Sequence, residues 1–172
     1  VSQIATAVDL EAAWLSSAND GLPALLSARG GPWDVIQAYA PRSPYQQQTQ
    51  LYVLRRRAAT SRFSQQRRIA THHFVLALVW PTGSSTIGEG IAEDEQRAFD
   101  AAIDLLVQRV EGTVTDHTHG GRFLSVAEST GGTNQPGAPA IDIEYADPLQ
   151  AAATGFFTAN VSYLADGTDY TA

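Results

Sequence analysis

Seven consecutive apolar residues, Phe74-Val75-Leu76-Ala77-Leu78-Val79-Trp80, constrain this chain more than any other stretch of it. The run is apolar on both faces of a strand, the pattern of a central strand covered on both sides. It ends a predicted strand over residues 68–80. A second strand over 47–57 precedes it, in which Leu51, Val53 and Leu54 lead into Arg55-Arg56-Arg57. The two read as a long hairpin. Their connection, Ala58–Arg67, is polar and basic and is expected to project as an arm.

Helices and further strands complete one sheet-based domain over residues 1–172. Over Ala92–Glu111, Phe99, Ala102, Ile103, Leu106 and Val110 make one apolar stripe at helical spacing. Glu93, Asp94 and Glu95 are expected in its first turn, Glu93 and Arg97 are spaced for an ion pair, and Gly112 is placed to end it. Residues 3–17 read as an N-terminal helix with Ser2 as cap, carrying Ile4, Val8, Ala12 and Leu15 on one side, and Asn19-Asp20-Gly21 breaks it. A shorter helix is expected over Leu22–Ala28, ended by Gly30-Gly31, then a strand over Trp33–Tyr39. Closing strands are expected over Arg122–Glu128, Ala140–Tyr145 and Phe156–Tyr163, with loops at Pro81–Ser85 and Ser129–Pro139. The class is α/β, more narrowly α+β: a single mixed or antiparallel sheet packed by the N-terminal helix and the long amphipathic one, with a projecting basic hairpin.

The 172 residues are 44% apolar and 17% charged, a globular balance, and contain no cysteine. Disulfides, thiolate metal sites and Cys nucleophiles are therefore excluded. All 11 basic residues are Arg, which removes lysine chemistry such as a P-loop or Schiff base. No apolar stretch is long enough to cross a bilayer, and no secretory leader is evident, so synthesis in a cytoplasm is expected.

Motifs for chemistry are weak. Asp116-His117-Thr118-His119 places two His two apart beside a carboxylate, as a metal site would, but it lies in a turn-like stretch with no third ligand at suitable spacing. A solvated polar loop is the stronger reading. His72-His73 sends its rings to opposite faces of a strand and is read as structural. Asp100 and Asp104 fall on the polar side of the long helix, suiting a solvated or interface-facing surface. The Gly-rich stretch Ser129–Gly137 does not run from strand to helix, so it is a poor phosphate cradle. Asn160-Val161-Ser162 matches a glycosylation acceptor by accident. No catalytic, cofactor-binding or metal residue is assigned, and the chain is expected not to be an enzyme.

Charge is sharply segregated. Between Asp34 and Glu89 there is no acidic residue, and Arg42, Arg55, Arg56, Arg57, Arg62, Arg67 and Arg68 give +7. The remainder holds all 18 acids against the other four of 11 Arg, or −14, for a net charge of −7. Six of those Arg, from Arg55 to Arg68, suit either nucleic-acid phosphates or the acidic surface of a neighbouring subunit. The second fits better, because the same chain carries the complementary charge. The expected contact set is Arg55, Arg56, Arg57, Arg62, Arg67 and Arg68 against Glu93, Asp94, Asp100 and Asp104. A basic arm and a distinct acidic face define a heterologous, head-to-tail contact, which closes into rings.

In its order of elements the chain resembles the tail terminator proteins of long-tailed bacteriophages. The resemblance runs from the N-terminal helix through Gly31-Pro32-Trp33, the Arg-bearing strand Leu51–Arg57, the apolar strand Phe74–Trp80 and the helix Ala92–Glu111 to the strand Phe156–Tyr163. The all-Arg composition suits a phage of an actinobacterial host. The resemblance implies a hexameric ring without an active site or cofactor. Such a ring caps the tail tube, ends its polymerisation and offers the surface on which the DNA-filled head docks. It implies tail tube protein and a head–tail connector or stopper protein as partners, DNA passing through the lumen without sequence-specific binding, and a place in the virion at the head-proximal end of the tail. Another connector or minor tail protein and a small nucleic-acid-binding module using Arg55–Arg68 are the alternatives.

Overall fold

A computed structural model describes residues 5–17, 21–41, 48–62, 67–81, 89–113, 115–127, 140–147 and 155–170. Among the described residues it is an α+β protein with one mixed six-stranded sheet and two α-helices. In chain order the elements are α1 (Ala7–Ser16), a single 3-10 turn (Ser27–Arg29), β1 (Val35–Ala38), β2 (Gln50–Arg62), β3 (Arg67–Pro81), α2 (Glu89–Glu111), β4 (Ser125–Val126), β5 (Ile141–Tyr145) and β6 (Phe156–Tyr170). The sheet runs β1-β2-β3-β6-β4, with β5 also paired to β6. β1 is parallel to β2, and every other pairing is antiparallel.

Alternation along the strands sets an inner face under the helices. Leu51 and Val53 of β2, Phe74, Leu76 and Leu78 of β3, and Phe157, Ala159, Val161, Tyr163 and Ala165 of β6 are buried there. Val8, Ala12 and Leu15 of α1 and the expected stripe of α2 complete one core. α1 begins at Thr6 in a capping box: the Thr6 hydroxyl accepts from the Asp9 N–H at 3.2 Å, and the Asp9 carboxylate accepts from the Thr6 N–H at 2.9 Å. α2 ends as the sequence predicts, with Gly112 at φ 77° and its N–H on the carbonyls of Gln108 and Arg109.

The segment between α1 and β1 folds back tightly to deliver Leu25 and Trp33 into the core. The Trp33 N–H donates to the Leu25 carbonyl, and the Ser27 N–H to the Trp33 carbonyl. A Cβ on Gly31 would lie 2.1 Å from the Leu25 carbonyl carbon, so only glycine fits. The helix expected over Leu22–Ala28 is therefore reduced to the 3-10 turn, because this close return leaves no room for a helical cylinder.

Other expectations are corrected. The apolar run on β3 is central in the sheet but not covered equally on both sides: Val75, Ala77 and Val79 on the outer face are only half-buried. The basic connection is not a ten-residue loop, since β2 continues to Arg62 and β3 starts at Arg67. β6 runs seven residues past Tyr163 and pairs β3 along its whole length, which extends the hairpin into a three-stranded ribbon. α1 starts at Ala7, capped by Thr6, and Ser2 lies outside the described residues. β4 holds only two residues of the expected Arg122–Glu128. α2 starts at Glu89, so Glu93, Asp94 and Glu95 fall in its second turn, and Arg97 pairs with Asp94 at 3.4 Å, not with Glu93. Arg42, Asn19, Asp20, residues 82–85 and the loop Ser129–Pro139 also lie outside the described residues.

Candidate functional site

The arginines expected to act together stand on a sheet edge. β1 covers β2 only from Gln50 to Val53, and the Tyr39 N–H closes the contact on the Val53 carbonyl. Among the described residues no strand lies beside β2 beyond that point. From Arg55 to Arg62 the strand is exposed on both faces. A bulge between Arg55 and Arg57 fans the charges. Arg55 sits opposite Phe74 on the inner face, Arg57 opposite His73 on the outer face, and Arg56 is the extra residue. Arg62 is at the tip, opposite Arg68. Among the described residues none of Arg55, Arg56, Arg57 and Arg62 makes an ion pair. The backbones of Arg67 and Arg68 lie on β3 beside this edge, and their side chains lie outside the described residues. On the outer face Arg57, Ala59, Thr71, His73 and Leu164 line a shallow depression of about 200 Å³.

The opposite boundary of the sheet is acidic. β5 pairs β6 through Ile141↔Tyr163 to Tyr145↔Ala159, and among the described residues its other side is open. Asp142 and Glu144 register with Ser162 and Asn160 on the outer face, and both are exposed. From the inner face α2 brings Asp100 and Asp104 towards the same edge. Phe99 meets the Tyr145 ring edge-on at 6.2 Å. The Tyr145 phenol is pushed up to about 12, by burial first and then by its hydrogen bond to Asp100 and the charges of Asp100 and Asp104. Of the four acids predicted from sequence, Asp100 and Asp104 thus flank β5. Glu93 and Asp94 are exposed in the second turn of α2, where Asp94 is occupied by Arg97.

A third cluster, unforeseen in the sequence, is sealed inside. Glu11 of α1 is fully buried and accepts from the Tyr163 hydroxyl; its other oxygen lies 2.9 Å from Nδ1 of His119. His119 Nε2 faces the Val110 carbonyl at 2.8 Å. A carbonyl only accepts, so Nε2 carries a proton. The His119 ring stacks on Trp14 at 3.6 Å, and the Arg109 guanidinium lies 4.7 Å from the Trp14 ring centroid. Arg109 donates to the carbonyls of Pro23 at 2.9 Å, Trp14 at 2.8 Å and Ser17 at 2.6 Å. Desolvation lowers its pKa, and the nearby Glu11 charge partly offsets this. The expectation of a solvated loop at Asp116–His119 is therefore corrected for His119. It holds for His117, which is exposed. Asp116 turns back on its own loop, and the Thr118 hydroxyl and N–H hold its carboxyl below the usual range.

The two His of that motif diverge, and among the described residues no group of three or more His, Asp or Glu is gathered as a metal site. His72 and His73 do fall on opposite faces, the first stacking with Phe74 and the second in the outer depression. Among the described residues no helix is long and apolar enough to cross a membrane. Among the described residues, exposed arginines gather on one sheet edge and exposed acids around the other. No protein-family model and no curated protein sequence matches the chain.

Proposed function

We propose that this chain is a structural assembly protein whose copies join head to tail, the arginine edge of one against the acidic edge of the next. One observation carries the reading: Arg55, Arg56, Arg57 and Arg62 are exposed on an open edge, while Asp100, Asp104, Asp142 and Glu144 surround the other. Unpaired like charges on a strand repel one another, and a complementary neighbour relieves that cost. Two different patches that fit each other make a heterologous contact, and repetition of it closes into a ring when the rotation between copies divides the full circle. The resemblance to tail terminators supplies the biological role of such a ring. As a hexamer it caps the tail tube, stops its growth and presents the docking surface for the head connector, with DNA passing through. The reading assigns no catalytic step, and the Glu11–His119–Tyr163 cluster is buried in the core.

Mass photometry of the protein alone and with tail tube ends tests the proposal. A species of six protomer masses, alone or on the tube ends, is the expected result. A persistent monomer in both conditions would sink it. The depression that places Arg57 beside His73 and Thr71 favours a second reading, in which the edge binds nucleic-acid phosphates. In that case DNA affinity would fall steeply with salt, with a slope set by several phosphates per protomer. A flat or negligible affinity removes it.

A further inference from the structure

We propose that the contact between copies is a continuous antiparallel β-ladder, in which β5 of one copy pairs edge-on with Leu54–Arg62 of β2 in the next. This rests on the reading that copies of the chain associate. An open strand presents a row of unpaired N–H and C=O groups and is a template for another strand. Among the described residues the sheet has such a row on β2 beyond Val53 and another on the outside of β5.

Strand direction permits the pairing. β2 is antiparallel to β3, β3 to β6 and β6 to β5, so β5 runs antiparallel to β2. A neighbour brought alongside by rotation about a ring axis keeps that sense, and its β5 meets β2 in the more stable antiparallel arrangement. The faces match as well. Continuing the sheet places Asp142 and Glu144 on the same outer face as Arg57, and Asp100 and Asp104 on the side of Arg55 and Arg62. Opposite charges directly across a ladder stabilise it, while like charges destabilise it by similar amounts.

Charge also rejects the alternatives. A two-fold contact of β2 with β2 sets Arg against Arg, and β5 with β5 sets acid against acid. Within one copy β5 lies level with Leu51–Arg55, so a neighbour pairing higher on β2 is displaced along the strands. Closed sheets have the same stagger, which inclines their strands to the barrel axis.

The absence of cysteine makes the test direct. Full-length single-cysteine variants Ala59→Cys and Ser61→Cys on β2, and Asp142→Cys and Glu144→Cys on β5, all lie on exposed outer-face positions. Each unlike pair is mixed at low salt, oxidised and resolved on non-reducing gels, with each variant alone as the comparison. The ladder predicts a disulfide-linked dimer in at least one unlike mixture, about tenfold above the like mixtures, the ratio expected where paired charges replace repelling ones. Oligomers by mass photometry with no unlike cross-link in any combination overturn the ladder and leave assembly standing. Cross-links confined to like mixtures also overturn it, in favour of a two-fold contact. A monomer without cross-links in every condition overturns both.

Discussion

Arg109 donates to three interior main-chain carbonyls, those of Trp14, Ser17 and Pro23, and so closes the C-terminal end of α1 with a side chain from α2. Replacing it with Met takes a charged donor from the carbonyls of Pro23 and Ser17, leaves the Trp14 carbonyl to the Ser17 N–H and hydroxyl alone, and removes a positive charge that interacts with the buried Glu11. The expected loss is about 3–5 kcal/mol in urea unfolding. Arg97→Ala, which breaks an exposed pair with Asp94, is expected to change stability by less than about 1 kcal/mol. A comparable loss from both variants would show that Arg109 acts as surface charge alone. Part of this was readable in the sequence. Arg109 stands three residues after Leu106, on the apolar stripe of α2, and Glu11 lies between Val8 and Leu15 on the stripe of α1. A charged residue at a stripe position signals a buried partner. His119 gave no such sign. It sits in a loop at φ 51°, and its burial comes from Trp14 and Glu11, more than a hundred residues away in sequence.

The capping box that starts α1 links that helix to pH. The Thr6 N–H and hydroxyl hold the Asp9 carboxyl below its ordinary 3.8. A carboxyl lowered in the folded state contributes stability above its unfolded value, and that stability is lost as pH falls through the folded value. Acid titration of the unfolding midpoint should therefore show a decline beginning near the ordinary Asp value, and Asp9→Asn should lack that part of it. An unchanged acid profile in the variant would separate the cap from the acid response. The strands show how far local pattern reaches. The alternation Ile141-Asp142-Ile143-Glu144-Tyr145 predicted β5 to within a residue. The stretch Ala58–Arg62 has no apolar face, and nothing local marks it as a strand. It is one because β3, held on its other side by all fifteen residues of β6, offers a template about 50 Å long. The same dependence on distant pairing hid β6 beyond Tyr163.

For the molecule as a whole, segregated charge was the most legible property, and the fold turned a run in sequence into an edge in space. Sequence spacing picked Asp100 and Asp104 correctly as surface acids. It missed Asp142 and Glu144 as members of the same boundary, because their nearness to α2 arises only when β5 docks on β6. If the edges join copies by charge, raising salt from about 0.1 M to about 1 M shortens the screening length from about 10 Å to about 3 Å and should shift assemblies towards monomers. Assemblies that strengthen with salt would point to an apolar contact, such as the half-buried outer face around Val75 and Ala77. The placement of one edge of each sign on every copy also has a kinetic meaning. A pair joined through these edges still exposes one basic and one acidic boundary, so it gains little over separate copies. The last subunit to enter a closed circle makes two contacts at once. In the proposed ring, partial circles are then poorly populated, and the passage from single copies to complete circles is abrupt.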